Sequence, residues 1–147
     1  MKKIAYFLPI VLLAVLLSGC RANYRYLHET SQITEIQIVE ITDFVTGDEG
    51  LTIPEFRTIC TIGDTDALLD DLSDVKCYSY INDPSGVGIG SVGLKLLYDN
   101  GDYDLLSASG TARYYAGQRF HNYAGYYFDI EQFNGLIDKY TVLYGES

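Results

Sequence analysis

The residues whose types and spacing could do chemistry are a glycine run, a string of aspartates, two histidines and three cysteines. Gly88-Ile89-Gly90-Ser91-Val92-Gly93 fits the G-x-G-x-x-G spacing. A dinucleotide cradle needs a strand before that run and a helix after it, so that the helix N-terminus meets the pyrophosphate. Here a β-rich segment follows and Asn100-Gly101 turns it back, so the run reads as a glycine-rich entry to a strand and no nucleotide cofactor is expected. It also fails as a nucleophile elbow, because Ile89 stands where G-x-S-x-G requires glycine. Asp64, Asp66, Asp70, Asp71 and Asp74 suggest calcium, yet Leu69 and Val75 occupy the sixth and twelfth places, where an EF-hand loop needs Gly and Glu. A helix cap and a solvated helix face account for them. Asp99 and Asp102 are expected to face each other across a turn, a like-charge pair that a cation would relieve but that water also screens. Neither His28 nor His121 accompanies a placed nucleophile, so no triad can be drawn. No carboxylate pair is marked out by spacing for sugar hydrolysis. The expected lists of catalytic residues and metal ligands are both empty.

Cys60 and Cys77 stand 17 positions apart. In an oxidising compartment they could form a disulfide, which in the chain-entropy model stabilises by about 3 kcal/mol. The alternative is two buried thiols. Two cysteines without a nearby histidine do not make a zinc site. The 14 tyrosines are in excess, and several gather near basic groups. Tyr114, Tyr115, Arg119, His121, Tyr123 and Tyr126 form a candidate interaction patch, since rigid amphipathic rings suit recognition of a protein or glycan. The same tyrosines also suit half-buried strand faces.

The elements that would position these groups are legible as an α+β domain, a mostly antiparallel sheet with helices on one face. Ile33 to Ile41 reads as a strand, either covered on both faces or bulged, because Ile36 and Ile38 point one way and Val39 and Ile41 the other. Asp43 to Pro54 reads as a loop, Phe56 to Ile62 and Cys77 to Ile81 as strands. Asn100-Gly101 predicts a two-residue hairpin turn with Tyr98 opposite Tyr103 and Leu96 opposite Leu105. Further strands are expected at Thr111 to Ala116 and Tyr123 to Phe128. A short helix over about 64–75 carries Leu68, Leu69, Leu72 and Val75 on one face. A C-terminal amphipathic helix over about 129–141 starts from Asp129 with Gln132 as a capping-box pair and Phe128 with Phe133 as a staple. Its stripe is Ile130, Phe133, Leu136, Ile137 and Tyr140.

The front of the chain is of another kind. Met1-Lys2-Lys3 precedes a fourteen-residue apolar run from Ile4 to Leu17, short of the roughly 20 residues that span a bilayer. This is the pattern of a secretory signal peptide. Leu17-Ser18-Gly19-Cys20 resembles the lipobox of bacterial lipoproteins. The resemblance implies cleavage after residue 19 and a lipid on the Cys20 sulfur, the covalent lipid being the one prosthetic group expected. Residues 20–32 then read as lipidated Cys and tether, and 33–147 as the folded domain. Without residues 1–19 the chain keeps 128 residues, and losing Lys2 and Lys3 takes its net charge from −10 to −12. That acidity argues against nucleic acid as a partner.

From Tyr98-Asp99-Asn100-Gly101-Asp102 through Tyr127-Phe128-Asp129 to Phe133, Leu136-Ile137 and Tyr140, the chain loosely resembles the C-terminal half of small secreted or lipid-anchored bacterial proteins. That likeness carries fold rather than activity. The expectation is a lipid-anchored protein on the extracytoplasmic face of the cell membrane. In a cell with two membranes, Arg21 rather than Asp after Cys20 leaves the outer membrane open. Three roles fit: a non-catalytic binding domain for a protein or glycan, an inhibitor or immunity-type lipoprotein against a secreted enzyme or toxin, and a small envelope-polymer hydrolase. The absence of a catalytic constellation in the sequence favours the first.

Overall fold

A computed structural model describes residues 21–46, 52–79, 87–116, 120–123 and 125–145. The strands are β1 (Arg21–Ala22), β2 (Ile33–Thr46), β3 (Thr52–Thr61), β4 (Cys77–Ser79), β5 (Val92–Tyr98), β6 (Tyr103–Ser107), β7 (Gly110–Tyr115), β8 (Phe120–Tyr123) and β9 (Tyr126–Phe128). The helices are α1 (Thr65–Asp74) and α2 (Ile130–Tyr144), with a 3-10 turn at Thr30–Gln32. All strand pairs are antiparallel, in a six-stranded sheet of order β3-β2-β5-β6-β7-β8 and a three-stranded sheet of order β1-β4-β9. The fold is α+β, as the patterning predicts.

β2 shows why both sheet faces are covered. Its side chains alternate, so Ile36 and Ile38 join Leu94, Leu96 and Leu106 beneath the helices, while Val39 and Ile41 join Tyr103, Leu105 and Ala112 on the other face. That second face is concave. Phe56 of β3 reaches Tyr103 of β6, three strands away in the sheet, with ring centroids 5.8 Å apart. Strands lie about 4.8 Å apart, so a flat sheet would keep those residues well separated. Register shifts at Ile38/Val39 and Ile41/Asp43 bulge the β2–β3 pair, which increases the local twist.

The helices form where the stripes predict. Asp64 caps α1, accepting from the Ala67 amide at 3.0 Å, and Leu68 and Leu72 are buried. Asp129 caps α2, accepting from the Gln132 amide at 3.1 Å, and Phe128 stacks on Phe133 at 5.1 Å. The capping box is only half realised: the Gln132 side chain accepts from the Lys76 amide at 2.9 Å, tying the helix start to β4. Ile130 lies outside the buried stripe at 63% exposure, because burial follows Phe133, Leu136, Ile137 and Tyr140 at i, i+3, i+4 and i+7. Gly135 sits on the exposed side of α2 with open space where a Cβ would be. Gly135→Ala is therefore expected to raise stability by about 0.5–1 kcal/mol, read as a higher denaturant midpoint.

Several boundaries differ from the expectation. The Asp43–Pro54 loop is shorter, because β2 runs to Thr46 and β3 begins at Thr52. Pro54 stands on β3, an edge strand, where proline is tolerated in a sheet. The expected strand Tyr123 to Phe128 is two strands in two sheets, separated at Gly125, whose φ is +73°. Residues 21–32 are not a loose tether. β1 pairs with β4, and Tyr24 and Tyr26 pack against the helix-side core.

The largest correction concerns the β5–β6 hairpin. Its loop has three residues, Asp99-Asn100-Gly101, not two. The Gly101 amide donates to the Tyr98 carbonyl at 3.0 Å and the Tyr98 amide to the Asp102 carbonyl at 2.9 Å. Gly101 takes φ +85°, and the Asn100 side chain accepts from the Asp102 amide at 2.9 Å. This is a turn followed by a left-handed glycine, the common three-residue hairpin. Leu97 now pairs with Tyr103 and Leu96 with Asp104. A one-residue slip exchanges the two faces of a strand, so Asp104 points beneath the helices with Leu96 and Tyr98.

Candidate functional site

The slip creates the most polar buried site among the described residues. Asp104 is 0% exposed. Its Oδ2 accepts from the Tyr98 hydroxyl at 2.6 Å and from the Leu27 amide at 2.8 Å. Arg113 Nε lies 3.6 Å from Oδ1, an ion pair without a hydrogen bond, while the same guanidinium donates to the Arg25 carbonyl. The Tyr24 hydroxyl is buried beside the same carboxylate. Burial raises the Asp104 carboxyl above its ordinary range, outweighing the Tyr98 and Leu27 donors and the Arg113 charge. Burial likewise raises the Tyr98 and Tyr24 hydroxyls, with the Asp104 charge adding to it, and pushes Tyr26 up to about 12.

Beside it, Asp102 is 8% exposed and meets His28 Nε2 at 2.8 Å, Asn100 Nδ2 at 3.0 Å and the Ala116 amide at 2.9 Å. Three donors thus satisfy the carboxylate that was expected to face Asp99 across the turn. Burial works to raise Asp102, but the donors from His28, Ala116 and Asn100 together hold it below the ordinary carboxyl range. A depressed native value stabilises the fold above the unfolded value, and that contribution is lost as pH falls through the native one. Asp102→Asn should therefore lower stability at neutral pH. Its deficit should shrink on acidification below the ordinary carboxyl range, measured by urea unfolding across pH. A deficit independent of pH would contradict the assignment.

Chemically, this cluster clamps residues 25–28 to the β5–β6 hairpin and β7 through hydrogen bonds, with the Asp104 Oδ1–Arg113 Nε contact held by charge alone. No serine, threonine or cysteine belongs to it. The glycine run leads into β5 and not into a helix. Gly90, at φ +81°, closes a turn in which the Ser91 amide donates to the Gly88 carbonyl at 3.0 Å. The aspartate string also resolves. Asp64 caps α1, and Asp71 accepts from Lys139 at 2.6 Å and Tyr140 at 2.8 Å, joining the two helices. Those two donors hold Asp71 below its ordinary range.

Cys60 and Cys77 are both free and buried; the candidate disulfide is not formed in this structure. Burial raises both thiols, Cys77 to about 11, which disfavours the reactive thiolate. A cavity of about 120 Å³ lies beside Cys77, between Tyr24, Tyr26, Val75 and Phe128.

The patch members whose side chains are described, Tyr114, Tyr115 and Tyr126, divide between faces. Successive strand residues point opposite ways, so Tyr114 and Tyr115 leave β7 from different faces. Tyr114 stacks on Tyr103 at 4.7 Å on the concave side. Tyr126 lies on the helix side, edge-on to Tyr24 at 5.2 Å. By register His121 pairs with Tyr114 and Tyr123 with Ala112. Arg119, like Cys20, lies outside the described residues. The concave face instead gathers Phe44, Phe56, Tyr103 and Tyr114, with Lys95 over the Phe56 and Tyr103 rings. Lys95 Nζ sits 4.9 Å from the Phe56 ring centre and 4.8 Å from that of Tyr103, within cation–π range. Burial lowers the lysine, with Glu35 opposing.

Neither Asp104 nor Lys95 stands out by motif. The one signal for Asp104 was an acid inside the apolar run Tyr103-Asp104-Leu105-Leu106, and an acid at such a place needs partners.

Among the described residues, no helix is long and apolar enough to cross a membrane and no cluster of three His, Cys, Asp or Glu is arranged for a metal ion. Compared with known proteins, the chain matches no protein-family model, no curated protein and no solved structure.

Proposed function

We propose that this chain is a lipoprotein anchored at the extracytoplasmic face of a membrane, and that its acidic domain binds a protein or glycan rather than catalysing a reaction. The observation that carries the anchor is Leu17-Ser18-Gly19-Cys20 behind a short apolar run, with β1 starting one residue later at Arg21. Acyl chains on Cys20, at about 0.8 kcal/mol per buried methylene, hold a domain to a bilayer without a spanning helix. The binding role is supported by the concave aromatic face, where Phe44, Phe56 and Tyr114 are half-buried and offer ring surface, with Lys95 beside Phe56.

Intact-mass spectrometry of the protein purified from membranes tests the anchor. The expected species begins at Cys20 and carries the added mass of a thioether-linked diacylglycerol, and Cys20→Ala leaves the leader attached. A full-length, unmodified chain recovered outside the membrane would overturn it. For the ligand, titration with soluble peptidoglycan fragments should change tyrosine fluorescence, and Tyr114→Ala should remove the change. A flat titration eliminates that glycan class.

A further inference from the structure

We infer that the outer face of the three-stranded sheet, bearing Tyr78 and Tyr127, lies in the headgroup region of the bilayer that holds Cys20. This rests on the anchoring proposed above and adds the orientation of the domain to it.

The first argument is reach. Arg21 pairs with Tyr78 and Ala22 with Cys77, so the fold begins at the residue after the anchor. Consecutive Cα atoms are about 3.8 Å apart, which leaves no spacer between a lipidated Cys20 and β1. Slack could come only from peeling away the segment that follows. That segment is clamped: the Leu27 amide bonds Asp104, the Arg25 carbonyl accepts from Arg113, and His28 bonds Asp102. The end of the small sheet at Arg21 must therefore sit at the membrane surface.

The second argument is the chemistry of that end. Cys77 and Phe128 pair with each other and point into the core, so their neighbours Tyr78 and Tyr127, also paired, point outward. The two tyrosine rings stack at 5.2 Å with 22° between planes, and Tyr127 is 37% exposed. A tyrosine has an apolar body and a polar tip, and settles where acyl chains give way to headgroups. The third argument is charge. A domain of net charge −12 is repelled as a whole by anionic lipids, so contact of these rings, and not long-range attraction, favours the orientation.

The chain has no tryptophan, so a single introduced one reports its own depth. The full chain, purified from membranes and lipidated, is reconstituted into phosphatidylcholine vesicles with and without bromine on the acyl chains. The Tyr127→Trp variant, and Tyr78→Trp as a second reporter should the first fail to fold, are expected to lose at least about half their emission in brominated vesicles. Val142→Trp, at a position 84% exposed on α2, should lose none. Protein that floats with the vesicles while the reporters stay unquenched, or while Val142→Trp is quenched instead, overturns the orientation and leaves the anchor standing. Protein that does not float at all removes both.

Discussion

Asp104→Ala is expected to destabilise the protein by about 3–5 kcal/mol, the usual cost of removing one partner from a buried charge pair. The substitution strands the Tyr98 hydroxyl and the Leu27 amide without an acceptor, and leaves the Arg113 guanidinium beside an apolar methyl. A domain of this size holds about 5–15 kcal/mol in total, so the loss is a large fraction of it. Urea unfolding measures it, and amide exchange should show Leu27 losing protection before the β2–β5 ladder does. Asp104→Asn keeps an acceptor oxygen without the desolvated charge, and should cost less. pH separates the two effects. A native carboxyl raised by burial gives stability that is present below its unfolded value and lost as pH rises through the native one. That fall should be seen in the wild type and be missing from Asp104→Asn. Equal, small losses for the two variants would mean that the clamp contributes little.

Gly93→Ala is expected to cost at least about 3 kcal/mol, the upper end of ordinary overpacking. A Cβ there would lie 2.2 Å from the Leu106 carbonyl oxygen, a backbone atom in the centre of the sheet. Relief requires β5 and β6 to separate, which would disturb the Leu94–Leu106 pair in the helix-side core. Gly88→Ala is the control. It belongs to the same glycine run, its nearest neighbour to a Cβ is the Ser91 hydroxyl at 3.9 Å, and its effect should stay within about 0.5 kcal/mol. Unfolding midpoints decide between them, and equal midpoints would show that the close approach at Gly93 is not needed. The third glycine of the G-x-G-x-x-G spacing is thus explained by strand contact.

Legibility followed the range of the interactions. The two helices were readable because their caps, Asp64 and Asp129, and their apolar stripes act within a few residues. The hairpin was readable as a hairpin, but its register was not. Asn100-Gly101 fits a two-residue loop and a three-residue loop equally well, and the choice depends on the pairing of whole strands. Tyr114 and Tyr115 looked like one patch because adjacency in sequence hides the alternation of a strand. Residues 21–32 looked like a tether because their partners are remote: Leu27 bonds an aspartate 77 positions away.

By itself, then, the order of residues determined the α+β class and both helix positions. Each follows from contacts or spacings within one short window. Only the tertiary structure decided that Asp104 is an interior charge, that the N-terminal segment is bolted to the hairpin, and that the aromatic rings divide between a concave face and the helix side. Those outcomes depend on which face a side chain takes, and one residue of register reverses that for every position in a strand.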